Sequence, residues 1–206
     1  VSLKNTFISK GREEPIDPSL IPAVFGYIKD YGRTVTTGLK GADSLLFLAG
    51  RRKMEFKGAE YALLAGQIGK KLPDLSPAEA GKLEHAVLEA AGKNLIHAGA
   101  VIENGGLAGA LVRMMMAGGR FGTEIDMAAL GKLRADYALF SESVGYVLEV
   151  SRKHGAKIKT VYDRLGIELL PIGVTTAKRS FTGLQKGKTV FDIPMTELAK
   201  HWSGKK

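Results

Sequence analysis

Apolar and polar positions alternate through Ser2-Leu3-Lys4-Asn5-Thr6-Phe7-Ile8, the period of a strand with one buried face. A polar stretch holding Pro15, Pro18 and Pro22 reads as loop, and Ala23–Ile28 and Arg33–Leu39 read as short strands. Leu45-Leu46-Phe47-Leu48-Ala49 is a continuous apolar run closed by Gly50, the pattern of a strand buried on both faces. Three helical patterns follow. Ala59–Lys70 places Tyr61, Leu64 and Ile68 on one side, with Gly66 and Gly69 weakening it. The second opens on Ser76, with Pro77 at the first helical position and Glu79 closing a capping box. Leu83, Ala86, Val87 and Ala90 then form one stripe, and Gly92 offers a left-handed stop. Gly106–Ala117 is the third, stopped by Gly118-Gly119.

The remaining pattern predicts strands at Ile96–Ile102, Thr123–Met127, Tyr146–Val150 and Glu168–Val174, and a helix at Lys157–Leu165. A hairpin, Ser180–Leu184 with Thr189–Ile193, and a short helix, Thr196–Trp202, close the chain. Strands and helices are interspersed without a strict βα repeat. This predicts an α+β fold, a two-layer α/β sandwich with helices on one face of a mixed sheet. No internal repeat or linker divides the pattern, so residues 1–206 are expected to form a single domain.

Composition narrows the picture little. The 45% of apolar and 25% of charged residues are ordinary for a globular chain. The absence of cysteine removes disulfides, thiolate metal sites and a Cys nucleophile, and is compatible with a cytoplasmic home. No apolar run is long enough to span a membrane. The opening at Val1 has neither an initiator Met nor a signal-peptide pattern, so the chain is expected to be a piece of a longer one. The net charge of +9 is uneven: residues 151–206 hold 12 Lys+Arg against 4 Asp+Glu. That region could attract nucleic acid, but Lys157/Lys159 and Lys186/Lys188 lack interleaved aromatics, and a solvated surface is the better reading.

Candidate chemistry is sparse. Gly187-Lys188-Thr189 suggests a phosphate loop, yet the glycine required five residues earlier is Thr182, and a strand pattern follows instead of a helix. A hairpin turn fits better. His85, His97, His154 and His201 are scattered, so no metal site is expected. Met114-Met115-Met116 cannot all face one way on a helix and reads as core filling. The informative segment is Ile102-Glu103-Asn104-Gly105-Gly106-Leu107: strand, glycine turn, helix. Its glycines permit close backbone approach, and the helix N-terminus favours an anion, such as a phosphate on a nucleotide-like small molecule; from spacing alone it reads equally as a plain strand-to-helix turn. Just before a strand, Glu142 and the hydroxyls of Ser141 and Ser143 could line a pocket or form a polar loop. The candidate binding residues are Asn104, Gly105, Gly106, Leu107, Glu142 and Ser143; no catalytic residue is assigned.

These segments, in order, resemble the C-terminal AIR-synthase-related domain, in the form found in phosphoribosylformylglycinamidine synthases. The likeness rests on Gly105-Gly106-Leu107-Ala108-x-Ala110-Leu111, Met115, Ala117-Gly118-Gly119, Gly122 and Glu124-Ile125-Asp126. Val1–Asn5, Ala42–Gly50, Gly58-Ala59-Glu60-Tyr61, Leu139–Ser143, Ile172-Gly173-x-Thr175 and Glu197-Leu198-x-x-x-Trp202 match further pieces in the same order. The resemblance implies the α/β sandwich of that domain. It also implies the substrate side of an ATP-dependent formylglycinamide ribonucleotide amidotransferase of purine synthesis, a cytoplasmic C–N ligase using ATP and Mg²⁺. Most ligands of ATP and Mg²⁺ would lie on a preceding AIR-synthase N-terminal-type domain, and a glutaminase domain or subunit would supply ammonia. A domain without its neighbour is expected to leave apolar surface bare and to be inactive alone.

The departures are specific. The family usually carries His-Asp-Val-Ser-Asp before the two glycines, where this chain has Ala100-Val101-Ile102-Glu103-Asn104. His97 lies three places too early to substitute, and Tyr146 stands where Arg is common. Ala and Val cannot replace a polar anchor. A degenerate binding or regulatory domain of the same superfamily is therefore the alternative to an enzyme domain, with a basic nucleic-acid-binding domain third.

Overall fold

The computed structural model describes residues 6–15, 22–28, 30–74 and 76–202. The chain divides into two compact units, Val1–Tyr31 and Gly32–Lys206. In the first, β1 (Thr6–Ser9) pairs antiparallel with β2 (Arg12–Pro15) about Lys10-Gly11, both at positive φ. Residues 2–5 of the expected first strand, and Pro18, lie outside the described residues. Two expectations fail here. Pro15 ends a strand instead of lying in a loop, which its missing N–H permits at a strand end. Ala23–Ile28 forms no strand: its backbone is irregular and Val24, Phe25, Tyr27 and Ile28 are exposed, so the apolar residues find neither a partner strand nor a core.

The second unit is built on seven strands: β3 (Leu45–Ala49), β4 (Ala98–Val101), β5 (Gly122–Asp126), β6 (Tyr146–Val150), β7 (Leu169–Thr176), β8 (Ser180–Gln185) and β9 (Lys188–Pro194). Their order is β4-β6-β3-β7-β5-β8-β9; the β5–β8 pair is parallel and the others antiparallel. The mixed α/β sheet is the expected class. Its helices, however, divide between the two faces. Leu46 and Leu48 of β3 join a core with Leu107, Leu111, Met114 and Met115 of α3 (Gly106–Gly118). The alternate residues Phe47 and Ala49 join a second core with Leu83, Ala86 and Ala90 of α2 (Pro77–Gly92) and with Ile158, Val161 and Tyr162 of α5 (Gly155–Arg164). A strand apolar at every position needs cover on both sides, so the run that predicted a buried strand also required the second helical layer.

Local rules explain most element ends. Ser76 Oγ accepts the Glu79 N–H at 3.1 Å, as the capping box requires. The left-handed stop falls on Asn94 (φ 55°), two residues past Gly92. α1 covers only Glu60–Leu64. Beyond it Gly66 and Gly69 take positive φ, and the N–H groups of Gly58 and Lys57 donate to the carbonyls of Ile68 and Lys71, folding residues 51–74 into a compact excursion. Arg33–Leu39 makes one bridge, Thr36 with Ala98, before Leu39 donates to the Met114 carbonyl and leaves the sheet. Lys186 and Gly187 turn the β8–β9 hairpin with φ 51° and 74°, so Gly187-Lys188-Thr189 is a hairpin and no phosphate loop. The pattern missed α4 (Ala135–Phe140); α6 (Met195–Trp202) falls as expected.

Leu111 is fully buried. Leu111→Ala should cost about 2–5 kcal/mol, and Ser76→Ala about 1 kcal/mol, in equilibrium urea unfolding. Equal costs would contradict this assignment of core and cap.

Candidate functional site

The turn between β4 and α3 is where sequence and structure meet. Ile102 donates its N–H to the Gly145 carbonyl at 2.8 Å, extending the line of β4 against β6. Gly105 and Gly106 then take φ of 81° and 66°. Gly106 is packed so closely that a Cβ would lie 2.7 Å from the carbonyl oxygens of Leu139 and Ser141. At Gly105 a Cβ would meet nothing nearer than the Gly109 Cα at 3.4 Å. The first glycine is therefore demanded by φ alone, and the second by φ and by contact.

Glu142 closes the start of α3. One of its carboxylate oxygens, Oε1, accepts the Gly105 N–H at 2.9 Å and the Glu60 N–H, at the first residue of α1, also at 2.9 Å. A carboxylate between two helix N-termini is favoured by the free N–H groups and the positive dipole ends. The seat expected to hold a ligand's anion is thus filled by the chain's own Glu142. Asn104 makes a long contact, 3.5 Å, from its amide nitrogen to Glu60 Oε1.

The six candidate residues divide. Asn104, Gly105 and Glu142 come together at the turn, and Gly106 supports them from beneath. Leu107 does not face the site: its side chain is wholly buried in the core, which leaves only its backbone as a possible contributor. Ser143 is buried and donates to Glu55 Oε2 at 2.9 Å, away from Glu142. It also borders a cavity of about 370 Å³ lined by Arg51, Lys53, Lys82, Glu79 and Glu168.

Three charged side chains, Arg113, Arg52 and Glu55, and two stacked ring pairs hold this arrangement. Arg113, two turns into α3, donates to the carbonyls of Asn104 at 3.1 Å and Val101 at 2.9 Å, and lies 3.4 Å from Glu103. Arg52, buried, donates to the carbonyls of Ser141 and Val144 at 3.3 and 3.1 Å. Burial lowers its pKa to about 10, against the opposing pull of Glu55, so it stays charged at neutral pH. Glu55 is fully buried, bonded to Ser143 and 3.3 Å from Lys71. Tyr61 stacks on Phe140 and Phe56 on Tyr137, at centroid distances of 4.9 and 4.1 Å, fastening the 51–74 excursion to α4. Apart from those of Arg113, 9 to 12 residues back, the partners are far away in sequence, so no spacing rule could find them. Only Arg113, the one charge in the apolar run 107–117, hinted at structural duty.

The replaced family positions are visible in place. Ala100 and Ile102 are buried in the sheet and Val101 is half exposed. His97 sits at the opposite end of β4, its N–H bonded to the Glu149 carbonyl. Glu60, Glu103 and Glu142 make the edge rich in acceptors, suited to a ligand that donates N–H or O–H groups. Among the described residues no cluster of three His, Asp or Glu side chains could hold a metal ion. The described residues therefore present no side-chain cluster fitted to Mg²⁺. No helix of the described residues is long and apolar enough to cross a membrane.

Comparison with known proteins gives the family and the fold. Residues 35–185 match the model of the AIR synthase related protein, C-terminal domain. The chain is 31% identical over 205 residues, 98% of its length, to the phosphoribosylformylglycinamidine synthase subunit PurL of Methanothrix thermoacetophila, and covers 26% of that protein. Among solved structures it is similar to T. maritima PurL complexed with FGAR, with TM-score 0.73 and 16% identity over 82% of this chain and 30% of that one. It is also similar to T. maritima PurL complexed with ATP, with TM-score 0.65 and 15% identity over 82% of this chain and 27% of the other. The chain thus spans about a quarter of the length of the curated relative.

Gly105→Ala should cost about 1–2 kcal/mol from the left-handed backbone alone. Gly106→Ala should cost more, because the rigid carbonyls of Leu139 and Ser141 cannot yield. Urea unfolding of both variants checks the order; a Gly106→Ala as mild as Gly105→Ala would contradict the close approach.

Proposed function

The chain belongs to the AIR synthase related C-terminal domain family, and we propose that it serves as the substrate-side domain of a phosphoribosylformylglycinamidine synthase. The observation that carries this reading is the similarity to a PurL subunit along 98% of the chain. The parent enzyme would be an ATP-dependent C–N ligase of purine synthesis, in the cytoplasm, with residues 1–206 acting as one functional domain. It would present the backbone of Asn104, Gly105, Gly106 and Leu107, with Glu142, to a formylglycinamide ribonucleotide, and Ser143 would hold the loop that carries Glu142. Acceptors at this edge suit the hydroxyl and amide donors of such a substrate better than its phosphate. ATP and Mg²⁺ would be held by a preceding AIR-synthase N-terminal-type domain, in keeping with the lack of a side-chain cluster fitted to Mg²⁺ among the described residues. Ammonia would come from a glutaminase domain or subunit. Met54, Leu64, Ile68 and Leu72 stand exposed on the 51–74 excursion, which supports an apolar surface made for a neighbouring domain.

A second reading has its own observation. Ala100 and Val101 stand where the family carries histidine and aspartate, and Glu142 fills the anion seat. Both favour a domain of the same superfamily that binds a ribonucleotide without turnover. ATP-dependent phosphate release, with formylglycinamide ribonucleotide and ammonium, separates the two. The chain alone should release none above a heat-killed control. With an AIR-synthase N-terminal-type domain supplied, the enzyme reading expects release. Ribonucleotide binding by calorimetry without release would establish the second reading, and neither binding nor release would overturn both.

A further inference from the structure

We propose that Glu142 is a latch: one carboxylate oxygen couples the Asn104–Gly106 turn to the 51–74 excursion, so that the two open together. The geometry carries this directly. The same atom, Oε1, accepts from Gly105 and from Glu60 at 2.9 Å each, and these residues stand 45 positions apart in the chain. A rotation of the Glu142 side chain that carries Oε1 out of reach frees both N–H groups at once.

Neither end has a replacement close at hand. Gly105 has no side chain to cap α3, and Ala59, the residue before α1, supplies none for α1. α1 has five residues and is bracketed by Gly58 and Gly66, both at positive φ, so little intrinsic helix stability holds its first turn. The base of the excursion is fixed differently, by buried Arg52 and Glu55 gripping the 141–144 segment that carries Glu142. With the base fixed, and the tip around Glu60 held to the turn by Glu142 Oε1 and the long Asn104 contact alone, the tip is the part that moves. The stacked pairs Phe56–Tyr137 and Tyr61–Phe140 limit how far it moves, since rings can slide within a stack without losing it.

The consequence goes beyond the proposed function and does not depend on which ligand is bound. A ligand group that takes the Gly105 N–H does so in exchange for Glu142, and the exchange releases Glu60. Occupancy of the turn and position of the excursion are then two readings of one equilibrium. The residues exposed on that excursion, Leu64 and Ile68 among them, would report the state of the turn to whatever lies against them.

Amide hydrogen exchange tests the latch. In the wild-type chain the Glu60 and Gly105 amides should show the same protection, after correction for intrinsic rates, and lose it together as urea is raised. In Glu142→Ala both should exchange at least tenfold faster, while amides of α2 and α5 keep their protection. Glu142→Gln, which keeps one acceptor oxygen, should fall between. If Glu142→Ala does not fold, the wild-type comparison still decides. Wild-type protection factors differing by more than tenfold, or a variant in which only one amide is affected, would overturn the proposal. So would inorganic phosphate that shifts the Gly105 amide resonance and leaves Glu60 unmoved.

Discussion

The close approach of three backbones at Gly106 and Gly145 is the constraint on which the site depends. A Cβ at Gly106 would strike the carbonyls of the 139–141 segment at 2.7 Å. One at Gly145 would strike the Ala49 carbonyl at 2.5 Å and the Arg52 guanidinium at 2.6 Å. With both glycines in place, the start of α3, the loop after α4 and the exit of β3 share one small volume. Glu142 then reaches Gly105, Arg52 reaches the carbonyls of Ser141 and Val144, and Ser143 reaches Glu55. The hydrogen bonds exist because the backbones touch; a larger residue at either position would push the donors and acceptors out of range.

What the sequence made legible follows physical reach. Strands with an apolar run or a partner nearby, the Ser76 capping box and the Lys186-Gly187 hairpin were readable because their causes are local. Ala23–Ile28 and Arg33–Leu39 have the composition of strands, yet a strand needs a neighbour to satisfy its backbone, and neighbours are not written locally. The second helical layer was implied by the very run, Leu45–Ala49, that identified β3 as buried on both faces.

The site shows the same division. The glycine turn was legible because positive φ selects glycine. Its contents were not. The turn says nothing about the direction of the following side chain, and Leu107 faces the core. Nor could the helix start reveal that its anion comes from Glu142, 37 residues on. Arg113 is the instructive case: the family's polar side chains before Gly105 are gone, and a guanidinium from α3 holds the turn by its carbonyls instead.

The account's central claim is that one carboxylate holds both helix starts, and through-hydrogen-bond scalar coupling on an isotope-labelled chain observes that directly. The Gly105 and Glu60 amide nitrogens should both correlate with the side-chain carboxyl carbon of Glu142. A spectrum in which either amide lacks that correlation, while backbone couplings across the β3–β6 pair are resolved, would contradict it.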